Sequence, residues 1–208
     1  MNKQQIFNFN FNKLNNLDFY VNDTNKDAYN LINNAENTNI FLKGPKKSGK
    51  SILSKIWLKK NNAIEYNNNI ETIINNKKNI LIEKIDKSLN EENLFHILNH
   101  SKLNNLSILI TSILEIDEIN FSLIDLISRL KTFTYCKINQ PDDDMLINIL
   151  TKLFIEKQFI INSEEIFQFI LKNAKRSYQD MYLIVKKLDA LSLEKKRQLT
   201  IPLIKEIL

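Results

Sequence analysis

Only two glycines occur in the 208 residues, where ordinary usage would supply about fourteen. Both stand in one octapeptide, Gly44-Pro45-Lys46-Lys47-Ser48-Gly49-Lys50-Ser51. The spacing is G-x-x-x-x-G-K-[ST], set between an apolar run at Asn39 to Lys43 and a helical stretch that begins at Lys50. In that setting a strand delivers the chain into a loop whose backbone N–H groups wrap phosphates at a helix N-terminus. Glycine lets the main chain approach the ligand, the Lys50 ammonium reaches the outer phosphates, and the Ser51 hydroxyl ligates Mg²⁺. The expected contacts run from Gly44 through Pro45, Lys46, Lys47, Ser48, Gly49, Lys50 and Ser51 to Ile52, with ADP or ATP and Mg²⁺ as ligands.

A loop of this kind needs a parallel sheet beneath it, and the hydrophobic pattern supplies one. Short apolar runs at 39–43, 63–66, 79–83, 107–111 and 133–138 read as strands; helical stretches at 25–35, 50–60, 91–103 and 122–131 fall among them. Ile80-Leu81-Ile82 and Ile108-Leu109-Ile110 are apolar without alternation, as strands buried on both faces must be. Residues 18–140 therefore read as an α/β domain, a five-stranded parallel sheet with flanking helices. Gln140-Pro141 ends that pattern. Helices are expected after it, with Pro141 in a first turn and Asp142, Asp143 and Asp144 against the positive end of the dipole. Asn162 with Glu165 suggests a capping box for 166–174; helices at 177–193 and 200–208 complete a small all-helical domain over 141–208. Residues 1–17 are Asn-rich and read as an extended arm.

Composition limits the remaining possibilities. About thirty Asn and about thirty Ile stand beside 29 basic residues, of which three are Arg, and three Pro. The bias reads as pressure against G+C-rich codons, so each Gly, Pro and Arg that remains carries information. The single cysteine, Cys136, excludes an internal disulfide framework and sits in an apolar run as a core residue. With 43% hydrophobic residues the chain can bury a core. No run of about eighteen apolar residues and no secretory leader is evident, so a cytoplasmic protein with no membrane partner is expected. A net charge of +5 admits an anionic partner, but the same codon bias favours Lys, and the charges are scattered.

The metal's water shell requires a carboxylate on a neighbouring strand. Glu83, at the end of Asn79-Ile80-Leu81-Ile82, is the candidate, with Asp86 second. The following position, where motor ATPases place the acid that orients the attacking water, is Lys84.

In this order of motifs the chain resembles the AAA+ module of DnaA-like bacterial replication initiators, and most closely the Hda group of initiator-inactivating proteins. Phe19-Tyr20-Val21, with Asn25 and Ala28, is similar to the segment that packs beside adenine. Leu94-Phe95-His96-Ile97-Leu98-Asn99 resembles the helix after the metal-binding strand. Ile110-Thr111-Ser112 resembles the sensor-1 strand end, which implies that Thr111 senses the terminal phosphate. Asp125-Leu126-Ile127-Ser128-Arg129-Leu130 is similar to the family's D-L-x-S-R-L element, which implies that Arg129 acts in trans as an arginine finger in a neighbour's nucleotide site. A planar, permanently charged fork suits that task. The sensor-2 arginine aligns with Gln179, leaving Arg176, one turn away, as the candidate substitute.

Initiators carry a DNA-binding helix-turn-helix domain after the helical lid. This sequence stops at Leu208, so no dedicated DNA-binding domain is expected. Gln4-Gln5-Ile6-Phe7-Asn8-Phe9 resembles the peptide by which Hda-like proteins bind the DNA polymerase sliding clamp, with Gln4 in a polar subsite and Phe7 and Phe9 in an apolar pocket. Two functions follow from the resemblance. The first is a regulatory adaptor with weak or no intrinsic ATPase activity, bound to the clamp and stimulating hydrolysis of initiator-bound ATP; the second is an active ATPase related to helicase loaders. Self-association is compatible with either.

Overall fold

The computed structural model describes residues 19–208 apart from Lys87 and Asn162. Five strands, β1 (Ile40–Lys43), β2 (Ile64–Glu65), β3 (Ile80–Ile85), β4 (Ile108–Ser112) and β5 (Thr134–Lys137), form one sheet in the order β2-β3-β4-β1-β5. Every pairing is parallel. Helices α1 (Lys26–Asn34), α2 (Lys50–Lys60), α3 (Ile70–Ile74), α4 (Glu91–Leu103) and α5 (Ile124–Leu130) connect and cover the strands.

The unbroken apolar runs divide by period two. Phe41, Ile80, Ile82, Ile108 and Ile110 face one core, with Leu94, Ile97 and Leu98 of α4 and Leu126 and Leu130 of α5. Ile40, Leu42, Leu81 and Leu109 face the other, with Ala28 and Ile32 of α1 and Leu53 and Trp57 of α2. Parallel strands sandwiched in this way must be apolar at every position, which is why the sequence shows no alternation there.

A bundle of α6 (Asp143–Glu156), α7 (Glu165–Asn173), α8 (Tyr178–Lys195) and α9 (Ile201–Lys205) follows, with its own core around Leu150, Phe154, Ile170, Met181 and Leu188. It is joined to the sheet domain because Met145 of α6 and Tyr178 of α8 enter the second core rather than the bundle's. Hydrogen bonds reinforce the join: Asn22 Nδ2 donates to Asp142 at 3.0 Å, Tyr20 Oη to Asp144 at 2.6 Å, and Tyr178 Oη to the Asn139 carbonyl at 3.3 Å.

The elements depart from the sequence expectation in places where local capping decides. Helix α3, for which the hydrophobic pattern gives no helix, lies between Asn clusters; the Asn69 side chain accepts from the N–H groups of Glu71 and Thr72 and starts it. Pro141 lies ahead of α6 rather than in its first turn, because Asp142 is the N-cap and accepts from Met145 N–H. Strand β3 runs two residues further, to Ile85, through an irregularity between Ile82 and Ile85. A 3-10 turn at Ile116–Glu118 was also not expected. Asn162 of the suggested capping box lies outside the described residues; Glu165 N–H is taken by Ser163 Oγ.

Candidate functional site

The loop from β1 to α2 sits at the carboxyl ends of the strands, with β4 and β5 on either side of β1, where doubly wound sheets bind ligands. Its two glycines are required by packing as well as by any ligand. Gly49 has φ +91°, and a Cβ there would lie 2.5 Å from Cε2 of Phe19. At Gly44 a Cβ would meet Ser48 Oγ at 2.9 Å and Ile138 Cβ at 3.0 Å. Gly49 caps α2 without a side-chain oxygen, and no acidic residue occupies the first turn, so the positive end of the helix is left for an external anion.

Two polar side chains in this loop, Ser48 and Lys50, are buried. Ser48 Oγ is buried and has no hydrogen-bond partner among the described residues. Such a group is rare in a folded protein, and a phosphate oxygen is a fitting partner. Lys50 is 8% exposed and folds back, donating to the carbonyls of Gly44 and Pro45 at 2.7 Å each. Desolvation pushes its ammonium down to about 8, against the opposing pull of Glu83. A largely buried ammonium held by two carbonyl oxygens, with Glu83 as its nearby carboxylate, suits an anionic ligand.

The structure brings the two candidate metal groups together. Ser51 Oγ donates to Glu83 Oε2 at 3.3 Å. The carboxylate reaches that position at a break in strand register between Ile82 and Ile85, where Lys84 adopts φ +59°. Thr111 holds this kink: its buried Oγ1 accepts from the Lys84 N–H at 2.9 Å. Thr111 is therefore tied to the strand that carries Glu83, with its own hydroxyl hydrogen still available to donate. No group of three His, Cys, Asp or Glu that could hold a metal occurs among the described residues. One hydroxyl and one carboxylate suit Mg²⁺, which completes its octahedron with phosphate oxygens and water.

The expected adenine-side residues divide. Phe19 covers Gly49 and stacks on Tyr29 with ring centroids 5.9 Å apart. Tyr20 turns its hydroxyl to Asp144, and that bond pushes the phenol up to about 12. Val21 stays substantially exposed.

From the helical domain, Arg176 does not meet the phosphate loop among the described contacts. Its Nη1 pairs with Asp143 at 3.2 Å and its Nε donates to the Leu171 carbonyl at 3.4 Å. Gln179 is exposed. The side chain that reaches the loop is Tyr182, whose ring centroid lies 5.2 Å from Lys47 Nζ. Sequence reasoning missed Tyr182, although it lies three residues beyond Gln179 and so on the same helix face.

Arg129 has its guanidinium engaged on three sides by residues of α4 and α5. Its Nε pairs with Asp125 Oδ2 at 2.8 Å, its Nη1 donates to Asn99 Oδ1, and its carbon lies 4.5 Å above the Phe95 ring. The clamp-like residues Gln4, Phe7 and Phe9 lie outside the described residues. Cys136 is buried, and desolvation pushes its thiol up to about 12, which leaves it unreactive. No helix among the described residues is long and apolar enough to cross a membrane.

Comparison with known proteins agrees with this architecture. The family model described as "Hda, lid domain" matches residues 143–208. AMPPCP-bound DnaA from Aquifex aeolicus superimposes with a TM-score of 0.66 at 18% identity, over 85% of this chain and 65% of that one. Domain III of Thermotoga maritima DnaA gives 0.72 at 17% identity, over 91% and 93% of the two chains. The FIGL-1 AAA domain in complex with ADP gives 0.65 at 13% identity, over 88% and 80%. This chain thus spans slightly less than two thirds of the Aquifex initiator. No curated protein matches the sequence. At these identities the structural likenesses establish the fold alone: an α/β core of the kind seen in those AAA+ domains, followed by a helical lid.

Proposed function

We propose that this AAA+ protein, related to DnaA by fold and to Hda by its lid, is a nucleotide-binding regulator that acts on an ATP-bound, DnaA-type initiator. Nucleotide binding is supported by the buried, unpartnered Ser48 hydroxyl and the desolvated Lys50 ammonium in a glycine-bounded loop. Phosphates would take N–H groups of the loop and the first turn of α2, Lys50 would neutralise them, and Ser51 with Glu83 would hold Mg²⁺. The bound ion would supply charge neutralisation between phosphate oxygens.

The observation that carries the regulatory reading is Arg129, one of three arginines in the chain, partly exposed on α5 and held by side chains of α4 and α5. Presented to a neighbour's nucleotide, its fork stabilises charge on the transferring phosphoryl group. Lys84 stands where a second acid would be needed for the protein's own hydrolysis, which favours work done in trans. Binding to the sliding clamp through Gln4, Phe7 and Phe9 would place it at replicating DNA and make the outcome negative regulation of initiation.

The test is hydrolysis of initiator-bound ATP by purified protein with DNA-loaded clamp. Arg129→Ala abolishes the stimulation if Arg129 acts in trans; unchanged stimulation refutes the reading. A Gln4→Ala, Phe7→Ala variant loses clamp capture if the arm is the tether. The juxtaposition of Ser51 and Glu83 also suits an active ATPase, and robust Lys50-dependent turnover by the protein alone would favour that second reading.

A further inference from the structure

We propose that Phe95 and Asn99 of α4 are positioning residues, which with Asp125 fix the Arg129 guanidinium so that its Nη2 edge is left open for an oxygen of a neighbouring molecule's triphosphate. The inference rests on the reading of Arg129 as a residue acting in trans. An arginine side chain has many rotamers, so a free one at the surface would lose much of that freedom on docking. Here that freedom is already restricted. Phe95 and Asn99 are i and i+4 on one face of α4, so the ring takes the guanidinium's flat face and the amide oxygen takes one Nη1 hydrogen. Asp125, one turn before Arg129 on α5, takes Nε.

Of the five N–H donors of the fork, both on Nη2 have no partner among the described residues, and the side chain is 34% exposed. The choice of holding groups is chemically selective. One carboxylate and one neutral amide fix the fork without a second negative charge, which would repel an incoming triphosphate. Phe95 is half-buried and absent from the hydrophobic clusters among the described residues, whereas Leu94, Ile97 and Leu98 beside it are core; besides the guanidinium its ring meets His96 edge-on at 6.2 Å. An aromatic side chain left out of the core and laid against a cation is explained by the cation.

The experiment measures single-turnover hydrolysis of γ-labelled ATP on a DnaA-type initiator as this protein is titrated, giving a maximal rate and a half-saturating concentration. Phe95→Leu and Asn99→Ala each lower the maximal rate about tenfold, since small misplacements of a group that meets the transition state carry penalties of that order. The half-saturating concentration and the thermal midpoint stay unchanged, and Phe95→Tyr, which keeps the ring, restores the rate. Wild-type maximal rates in Phe95→Leu and Asn99→Ala, with Arg129→Ala inactive, overturn the positioning role and leave the trans-acting arginine standing. Losses confined to the half-saturating concentration also overturn it, because the residues would then serve docking. Wild-type stimulation by Arg129→Ala overturns the premise itself.

Discussion

Replacing Gly49 with alanine tests why the phosphate loop needs its second glycine. The structure gives two reasons that add. At φ +91° a residue with a Cβ is strained by roughly 1–2 kcal/mol. That Cβ would also lie 2.5 Å from Cε2 of Phe19, so the ring must leave its seat and give up its stack on Tyr29. An aromatic pair contributes about 0.5–1.5 kcal/mol beyond area burial. Together the substitution costs about 1.5–3.5 kcal/mol in the nucleotide-free protein, or roughly a 1 M fall in urea midpoint at ordinary slopes. Urea denaturation of wild type, Gly49→Ala, Phe19→Ala and the double variant separates the two terms. In the Phe19→Ala background Gly49→Ala costs only the backbone strain, leaving a coupling of about 1 kcal/mol. Equal costs in both backgrounds would show that Phe19 is not the obstacle. A total below about 0.5 kcal/mol would refute both terms.

Nucleotide affinity should depend on pH through Lys50. Bound phosphates favour the charged ammonium, so the complex holds a proton that the free protein loses above about 8. The Lys50 contribution to affinity is therefore full below about pH 8 and falls as pH rises beyond it; calorimetry in buffers of differing ionisation enthalpy reads the proton uptake, and its absence in wild type at pH 8.5 would contradict the burial of Lys50. Arg176→Ala leaves nucleotide affinity within about twofold, because its partners are Asp143 and Leu171, whereas Tyr182→Ala weakens it by about two- to fivefold, the size of an exposed cation–π contact. Equilibrium dialysis with labelled ADP distinguishes them, and the reverse order would restore Arg176 as the group that reads the phosphates. Cys136 should resist a thiol-specific disulfide reagent at pH 8 until the protein is unfolded in denaturant.

Much of the framework was legible because it depends on near-neighbour chemistry. The span of α2 and of α4 followed from residue pattern alone, and the unbroken runs in β3 and β4 announced a sheet covered on both sides. Helix α3 was hidden because its five residues are too few to show a period, and its N-cap, Asn69, looks like one more Asn in a biased chain. Motif and spacing named Lys50, Ser51 and Glu83 as candidates, and the structure places Ser51 beside Glu83. The site was illegible where contact depends on how two elements cross. Tyr182 reaches Lys47 only because α8 packs on the core through Tyr178.

The sequence by itself determined that both glycines stand in one loop, Gly44 to Ser51, whose spacing of glycines, lysine and hydroxyl is that of a phosphate-binding motif. It also singled out Arg129 by scarcity. Only the tertiary structure decided what each of them touches. Gly49 is glycine because its backbone turns left-handed under the Phe19 ring, Thr111 holds the kink that carries Glu83, and Arg129 is held by Phe95 and Asn99 from thirty or more residues away in the chain. The physical reason is range: turn and cap preferences act over a few residues, whereas the steric and electrostatic fit of a side chain depends on whichever elements the sheet order brings beside it.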